Sequence, residues 1–280
     1  MDHIVHICIT TDKNYLELTK MCINDIILAK ATTTILYFYI LGNNVDLSEL
    51  HKFEQYSDVH VTTYTDNFDT HYSFYNNYRH LTSTVYVRTL IPILPVFDKI
   101  DKVLYLDADI LAKKDLFGFY NENITGRAMG VVKDFGMANV YNTNPIDLST
   151  FSFFNTGQLL MNLPYLRNIN FTEECAKLMH TKGMTDDQPI INKVLVGKVK
   201  YLSPIYFFPW HKTKTMGGNY NNVDLWNKTY GTSFRSMQEL EDASVLWHFH
   251  GEKEAQLKNP ILKQLYQESL DRVNTFFNQK

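Results

Sequence analysis

The chain has 280 residues, of which 45% are hydrophobic and 20% charged, with a net charge of −3. That length suffices for one large α/β domain or two small ones, each with a real core. The charge balance excludes a strongly basic nucleic-acid binder, and no run approaches the ~20 apolar residues that cross a bilayer.

Residues 3–10, HIVHICIT, form an apolar run of strand length that ends at Thr11-Asp12. A helical pattern follows, with Leu16, Thr19, Ile23, Ile26 and Ile27 on one face. TILYFYIL (34–41) is a second strand, closed by Gly42-Asn43-Asn44, and LSELHKFEQY (47–56) is a helix with Asp46 or Ser48 near its cap. VHVTTYT (59–65) and DKVLYLDADIL (101–111) read as the third and fourth strands, and STVYVRTLIPILP (83–95) as a helix between them. Such alternation predicts a parallel sheet covered on both faces, with ligands outside the carboxyl ends of its strands. TGQLLMNL (156–163) continues as a strand, 165–182 and 186–196 as helices, and SVLWHFHG (244–251) as a strand. From Pro260, the residues Ile261, Leu262, Leu265, Leu270, Val273, Phe276 and Phe277 make an amphipathic helix expected to pack on the body. No linker divides the chain, so one domain over 1–280 is expected, with 260–280 as that helix.

Cys8, Cys22 and Cys175 are odd in number and form no CxxC pair. They point to a reduced, cytoplasmic protein without disulfides. MDHIVHICITTD has no basic n-region or cleavage site, so no signal peptide is expected. Lys258, Lys263, Arg272 and Lys280 fall short of a basic cluster, so at most weak peripheral membrane contact is expected.

Asp107 and Asp109 follow the apolar run Val103–Leu106. Bare carboxylates at the end of a buried strand are costly unless their charge is compensated. A hard divalent cation would do so, and manganese or magnesium accepts such oxygen donors. His248 ends a later apolar run and could supply a third ligand, with Gly251 and Lys253 beside it for a diphosphate. A solvated acidic loop and ordinary half-buried histidines are the alternatives.

Several motifs occur in order: ITTDKNY (9–15), VYVRTLIPILP (85–95), DKVLYLDADIL (101–111), FFNTGQLLMNL (153–163), DDQPIIN (186–192) and HFHG (248–251). Together they resemble glycosyltransferase family 8, which includes bacterial lipopolysaccharide galactosyl- and glucosyltransferases and glycogenin. The resemblance implies an α/β GT-A fold, Rossmann-like with a mostly parallel sheet. It also implies retaining, Mn²⁺-dependent transfer of a hexose from a UDP-sugar to a glycan, lipid-linked sugar or glycoprotein. It implies Asp107, Asp109 and His248 as metal ligands. Thr10, Thr11, Asp12, Tyr15, Asp107, Ala108, Gly251 and Lys253 are then nucleotide contacts, with Asp12 and Tyr15 holding the uracil. Arg88, Asn155, Thr156, Gly157, Asp187 and Gln188 fall at sugar-binding positions. Asp187, Gln188 and Asp134 are the candidate catalytic residues, with Asp134 on the acceptor side.

Two departures stand out. The closing lysine comes one place early, as Lys253, and Glu254 stands where the family has it. Pro189 follows Gln188 where some members carry another aspartate, which leaves Asp187 as the nearest acid to the transferred sugar. Two other functions stay open at this stage. A nucleotidyltransferase would need a Gly-rich phosphate loop that TTDKNY does not provide, and a non-catalytic sugar-nucleotide or glycan binder fits the displaced lysine.

Overall fold

The computed structural model describes residues 2–68, 83–134, 153–179, 186–210, 213, 221–249 and 260–278. The strands are β1 (His3–Asp12), β2 (Thr34–Asn43), β3 (Val59–Asp66), β4 (Lys102–Leu106), β5 (Ile110–Ala112), β6 (Met129–Val131), β7 (Gln158–Asn162), β8 (Val199–Tyr201) and β9 (Leu246–His248). Seven of them make one sheet in the order β3-β2-β1-β4-β7-β6-β8, and β5 and β9 make a separate pair. Strands β1 to β4 run parallel. β7 runs antiparallel to both β4 and β6, and β8 is again parallel to β6. The sheet is therefore mostly parallel, as expected, with β7 the reversed strand among those described. A strand buried on both faces is a continuous apolar run in either direction, so QLLMN carries no mark of its orientation.

The core lies on both faces of this sheet. Ile7 and Ile9 point to a cluster with Phe38, Phe53, Trp226 and Phe276. Cys8, between them, points to the opposite cluster with Tyr39, Phe97, Tyr105 and Leu159. Alternation along the strand sends successive side chains to opposite faces, and both faces are dry. All three cysteines are buried and free.

Helix α1 (Leu16–Ala29) connects β1 to β2. Residues 83–97 form three short 3₁₀ turns (Ser83–Thr89, Ile91–Ile93 and Pro95–Phe97) where the pattern predicted one helix. Pro92 and Pro95 lack the N–H an α-helix needs and restrict the residue before each. Residues 48–55 are likewise 3₁₀ rather than α. The strand expected over 101–111 is two strands, β4 and β5, with the acids on the turn between them. The helix expected from 165 is broken in two. After α2 (Phe117–Tyr120), α3 (Leu163–Asn168) is separated from α4 (Phe171–Met179) by Ile169 and Asn170, the latter with a φ of +50°. Asparagine accepts this left-handed conformation because its short polar side chain can hydrogen-bond locally. α5 (Asp187–Val194) is capped by Asp186, whose carboxylate accepts from the Gln188 N–H at 3.1 Å. α6 (Val223–Tyr230) and α7 (Met237–Ala243) follow.

The last helix, α8 (Pro260–Asn278), buries Leu262, Ser269, Val273 and Phe276 and leaves Ile261 exposed. The buried face follows helical spacing, and Ile261 falls outside it.

Candidate active site

The carboxyl ends of β1 and β4 lie side by side, since Ile9 pairs with Leu106. That register brings Asp12 and Tyr15 near Asp107 and Asp109. The acids then meet His248 through the second sheet. Ile110 stands opposite His248 on the β5–β9 ladder, and the Phe249 N–H donates to the Asp109 carbonyl at 3.0 Å. His248 Nε2 lies 3.1 Å from Asp109 Oδ1 and 3.7 Å from Asp107 Oδ2. One ligand atom from each of the three residues falls within 4.8 Å of the others.

Two carboxylate oxygens and an imidazole nitrogen form a donor set suited to manganese and compatible with magnesium. Gly157 makes room for it. A Cβ there would lie 2.6 Å from Asp107 Oδ2 and would overlap His248 Cε1. Only glycine lets the chain pass this close beneath the ligands as it enters β7. The residues present thus fit a divalent cation. A cavity of about 230 Å³, lined by Asn14, Met21, Asp109, Phe249, Leu262 and Tyr266, opens beside Asp109.

Arg88 sits behind the acids, 6% exposed. Its Nη2 pairs with Asp107 Oδ1 at 2.9 Å and its Nε with Asp187 Oδ2 at 3.3 Å. Nη1 donates to the Thr156 carbonyl at 2.6 Å and Nε to the Val85 carbonyl at 3.0 Å. Burial disfavours its charge, but Asp107 and Asp187 outweigh burial and raise its pKa. Burial lifts the Asp187 carboxyl to about 6, with Arg88 pulling the other way, the neighbouring acids Asp186 and Asp107 adding to the rise and the Thr156 hydroxyl opposing it.

A polar network lies alongside. Asn155 Nδ2 donates to Asp134 Oδ2 at 3.3 Å, and Gln188 Nε2 donates to the same oxygen at 3.4 Å. Asn155 Oδ1 accepts from the Gly157 N–H at 2.8 Å, and the Thr156 hydroxyl donates to Asp187 Oδ2 at 3.0 Å. The motifs around 134, 155 and 188, dispersed in sequence, thus share one cluster.

At the β1 end, Asp12 is held rather than loose. Its Oδ1 accepts from the Asn14 N–H at 2.8 Å and its Oδ2 from the Thr84 hydroxyl at 3.1 Å. Tyr15 is 38% exposed, and burial together with the Asp109, Asp12 and Asp107 carboxylates raises its phenol pKa. Thr11 is fully buried and accepts from the Thr19 hydroxyl of α1 at 2.8 Å. Ala108 is buried on the turn between the two acids. Gly251 and Lys253, expected at the diphosphate, lie outside the described residues. Sequence reasoning passed over Thr84 and Tyr105. No local pattern marks Thr84, but Tyr105 stands two residues before Asp107, the spacing that puts strand side chains on one face.

The glycosyl transferase family 8 model matches residues 6–254. The chain belongs to glycosyl transferase family 8. Among characterised relatives, it is 26% identical over 114 residues to lipopolysaccharide 1,3-galactosyltransferase of Salmonella typhimurium, covering 38% of this chain and 34% of that protein. It is 26% identical over 131 residues to general stress protein A of Bacillus subtilis, covering 45% of each. The chain thus spans between about a third and just under half of the length of these curated relatives. Among solved structures, galactosyltransferase LgtC in complex with donor and acceptor sugar analogues superposes with a TM-score of 0.74 at 18% identity, over 97% of this chain and 96% of LgtC. Glycosyltransferase GlyE of Streptococcus pneumoniae superposes with a TM-score of 0.64 at 17% identity, over 99% of this chain and 63% of that one. The family and the mostly parallel sheet make this a GT-A glycosyltransferase fold.

Proposed function

We propose that this family member transfers a hexose, galactose or glucose, from a UDP-sugar to a glycan, lipid-linked sugar or glycoprotein, with retention at the anomeric carbon. The observation that carries the reading is the meeting of Asp107, Asp109 and His248 within 4.8 Å over the Cβ-free floor at Gly157. Those three residues would hold Mn²⁺ or Mg²⁺. A cation there supplies charge stabilisation for the departing UDP.

This chain's own residues do the rest. The half-exposed Tyr15 ring, beside the held carboxylate of Asp12, suits a uracil. Asp134, Asn155 and Gln188 offer directed donors and acceptors for sugar hydroxyls. Asp187 is the nearest candidate nucleophile, yet its Oδ2 is taken by Arg88 and Thr156. Retention then favours front-side attack, in which the departing phosphate oxygen accepts the acceptor's proton. The Salmonella relative's galactosyltransferase name supports a cell-surface glycan as acceptor. Three free, buried cysteines support a cytoplasmic setting.

The test is a panel of UDP-sugars with Mn²⁺, reading released UDP and sugar by mass spectrometry. One UDP-hexose is turned over, and Asp109→Ala lowers turnover by about a hundredfold or more. Turnover of no UDP-sugar in the panel, with glycan still bound, would favour the non-catalytic binder.

A further inference from the structure

We infer that Tyr105, to which the motifs assign no role, is the positioning residue that makes Asp107 a one-oxygen metal ligand. The inference rests on the metal reading above. Tyr105 lies on β4, fully buried, and its hydroxyl is 2.7 Å from Asp107 Oδ1 and 3.0 Å from Thr10 Oγ1. An ionised carboxylate only accepts, so the phenol spends its single proton on Asp107. Thr10 must then donate to the Tyr105 oxygen. The hydrogen bonds run one way, from Thr10 on β1 through Tyr105 to Asp107 across the β1–β4 seam.

Arg88 completes the hold. Its Nη2 reaches the same Oδ1 at 2.9 Å, and its guanidinium carbon lies 4.7 Å from the Tyr105 ring centre. A carboxylate oxygen has about two lone-pair sites. Both sites on Oδ1 are therefore used by Tyr105 and Arg88. Oδ2 is the oxygen that faces His248 Nε2, at 3.7 Å. The Asp107 N–H is fixed as well, donating to the Gly157 carbonyl at 2.7 Å. With one oxygen occupied and the backbone fixed, the carboxylate cannot rotate to chelate through both oxygens, and Oδ2 is presented to the cation in one direction. Ligating carboxylates held by outer hydrogen bonds in this way depend on them for affinity.

The test uses the full chain without nucleotide and follows free Mn²⁺ by its electron paramagnetic resonance signal. Tyr105→Phe keeps the ring under Arg88 and removes only the hydroxyl. Its Mn²⁺ dissociation constant should rise about tenfold or more. Thr10→Val should raise it in the same direction by less, because it unties the phenol without touching Asp107. Asp109→Ala is the control that loses binding. A lowered melting temperature in Tyr105→Phe with an unchanged dissociation constant would show a packing role and overturn the assignment. Should Tyr105→Phe not fold, Thr10→Val decides, and wild-type affinity there overturns it. Binding that is lost in Asp109→Ala but equal in wild type and Tyr105→Phe overturns this inference alone. No Mn²⁺ binding by the wild type overturns it together with the metal reading.

Discussion

Asp187 is 6% exposed, and burial lifts its carboxyl from 3.8 to about 6 although Arg88 Nε lies 3.3 Å away. The folded chain therefore keeps a proton there that the unfolded chain releases. Stability from this group is fully present below the unfolded value and is lost as pH rises through the folded one. Asp187→Asn removes that dependence. Urea unfolding at pH 4, 5, 6 and 7 should show the variant gaining on wild type as pH rises from 4 to 6, then levelling. Parallel curves for the two proteins would mean that Asp187 titrates like an ordinary exposed aspartate. The same residue illustrates how Arg88 acts: one buried guanidinium serves two acids, Asp107 and Asp187, whose charges would otherwise oppose each other.

At the scale of elements, the join between α1 and α8 is the clearest case of polar groups fastening an apolar contact. Asp25, on the buried face of α1, accepts from the Ser269 hydroxyl at 2.7 Å and from Arg272 Nη2 at 2.8 Å. Further along, Phe276 stacks on Phe53 with ring centres 4.9 Å apart. In Asp25→Ala, water can reach Arg272, whose side chain is 41% exposed, but Ser269 is 1% exposed and loses its acceptor. The cost should be about 1–3 kcal/mol, read as a lower urea midpoint. An unchanged midpoint would show that the apolar stripe holds α8 without help. The β4–turn–β5 element works differently. It leaves the main sheet after Leu106 and enters the small one at Ile110, so the two acids sit where the chain changes sheets. Such a turn lets one strand end face β1 and β9 at once.

For the whole molecule, no helix among the described residues is long and apolar enough to cross a membrane. The candidate metal ligands come from the turn that follows β4 and from β9, so a bound cation would tie the large sheet to the small one. A ligand that binds only the folded state stabilises it, by about 2.7 kcal/mol at a hundred times its dissociation constant. For a chain of this size, that is a rise of about 5 °C in melting temperature. Scanning calorimetry with Mn²⁺ should show it in the wild type and not in His248→Ala. An equal rise in both would place the cation elsewhere.

The strand–helix alternation of the first half, the acids at the β4 end and the apolar face of α8 were legible because each rests on local periodicity or on a short motif. The motif series likewise carried the family and most of the site. The tertiary structure alone decided that β7 runs antiparallel, that residues 83–97 coil as 3₁₀ turns, and that Asp134, Asn155 and Gln188 meet. It also decided that Tyr105 and Arg88 close on one oxygen of Asp107. These features depend on the register between segments far apart in the chain. A residue's local pattern shows that it is buried, but not which distant partner the fold will set against it.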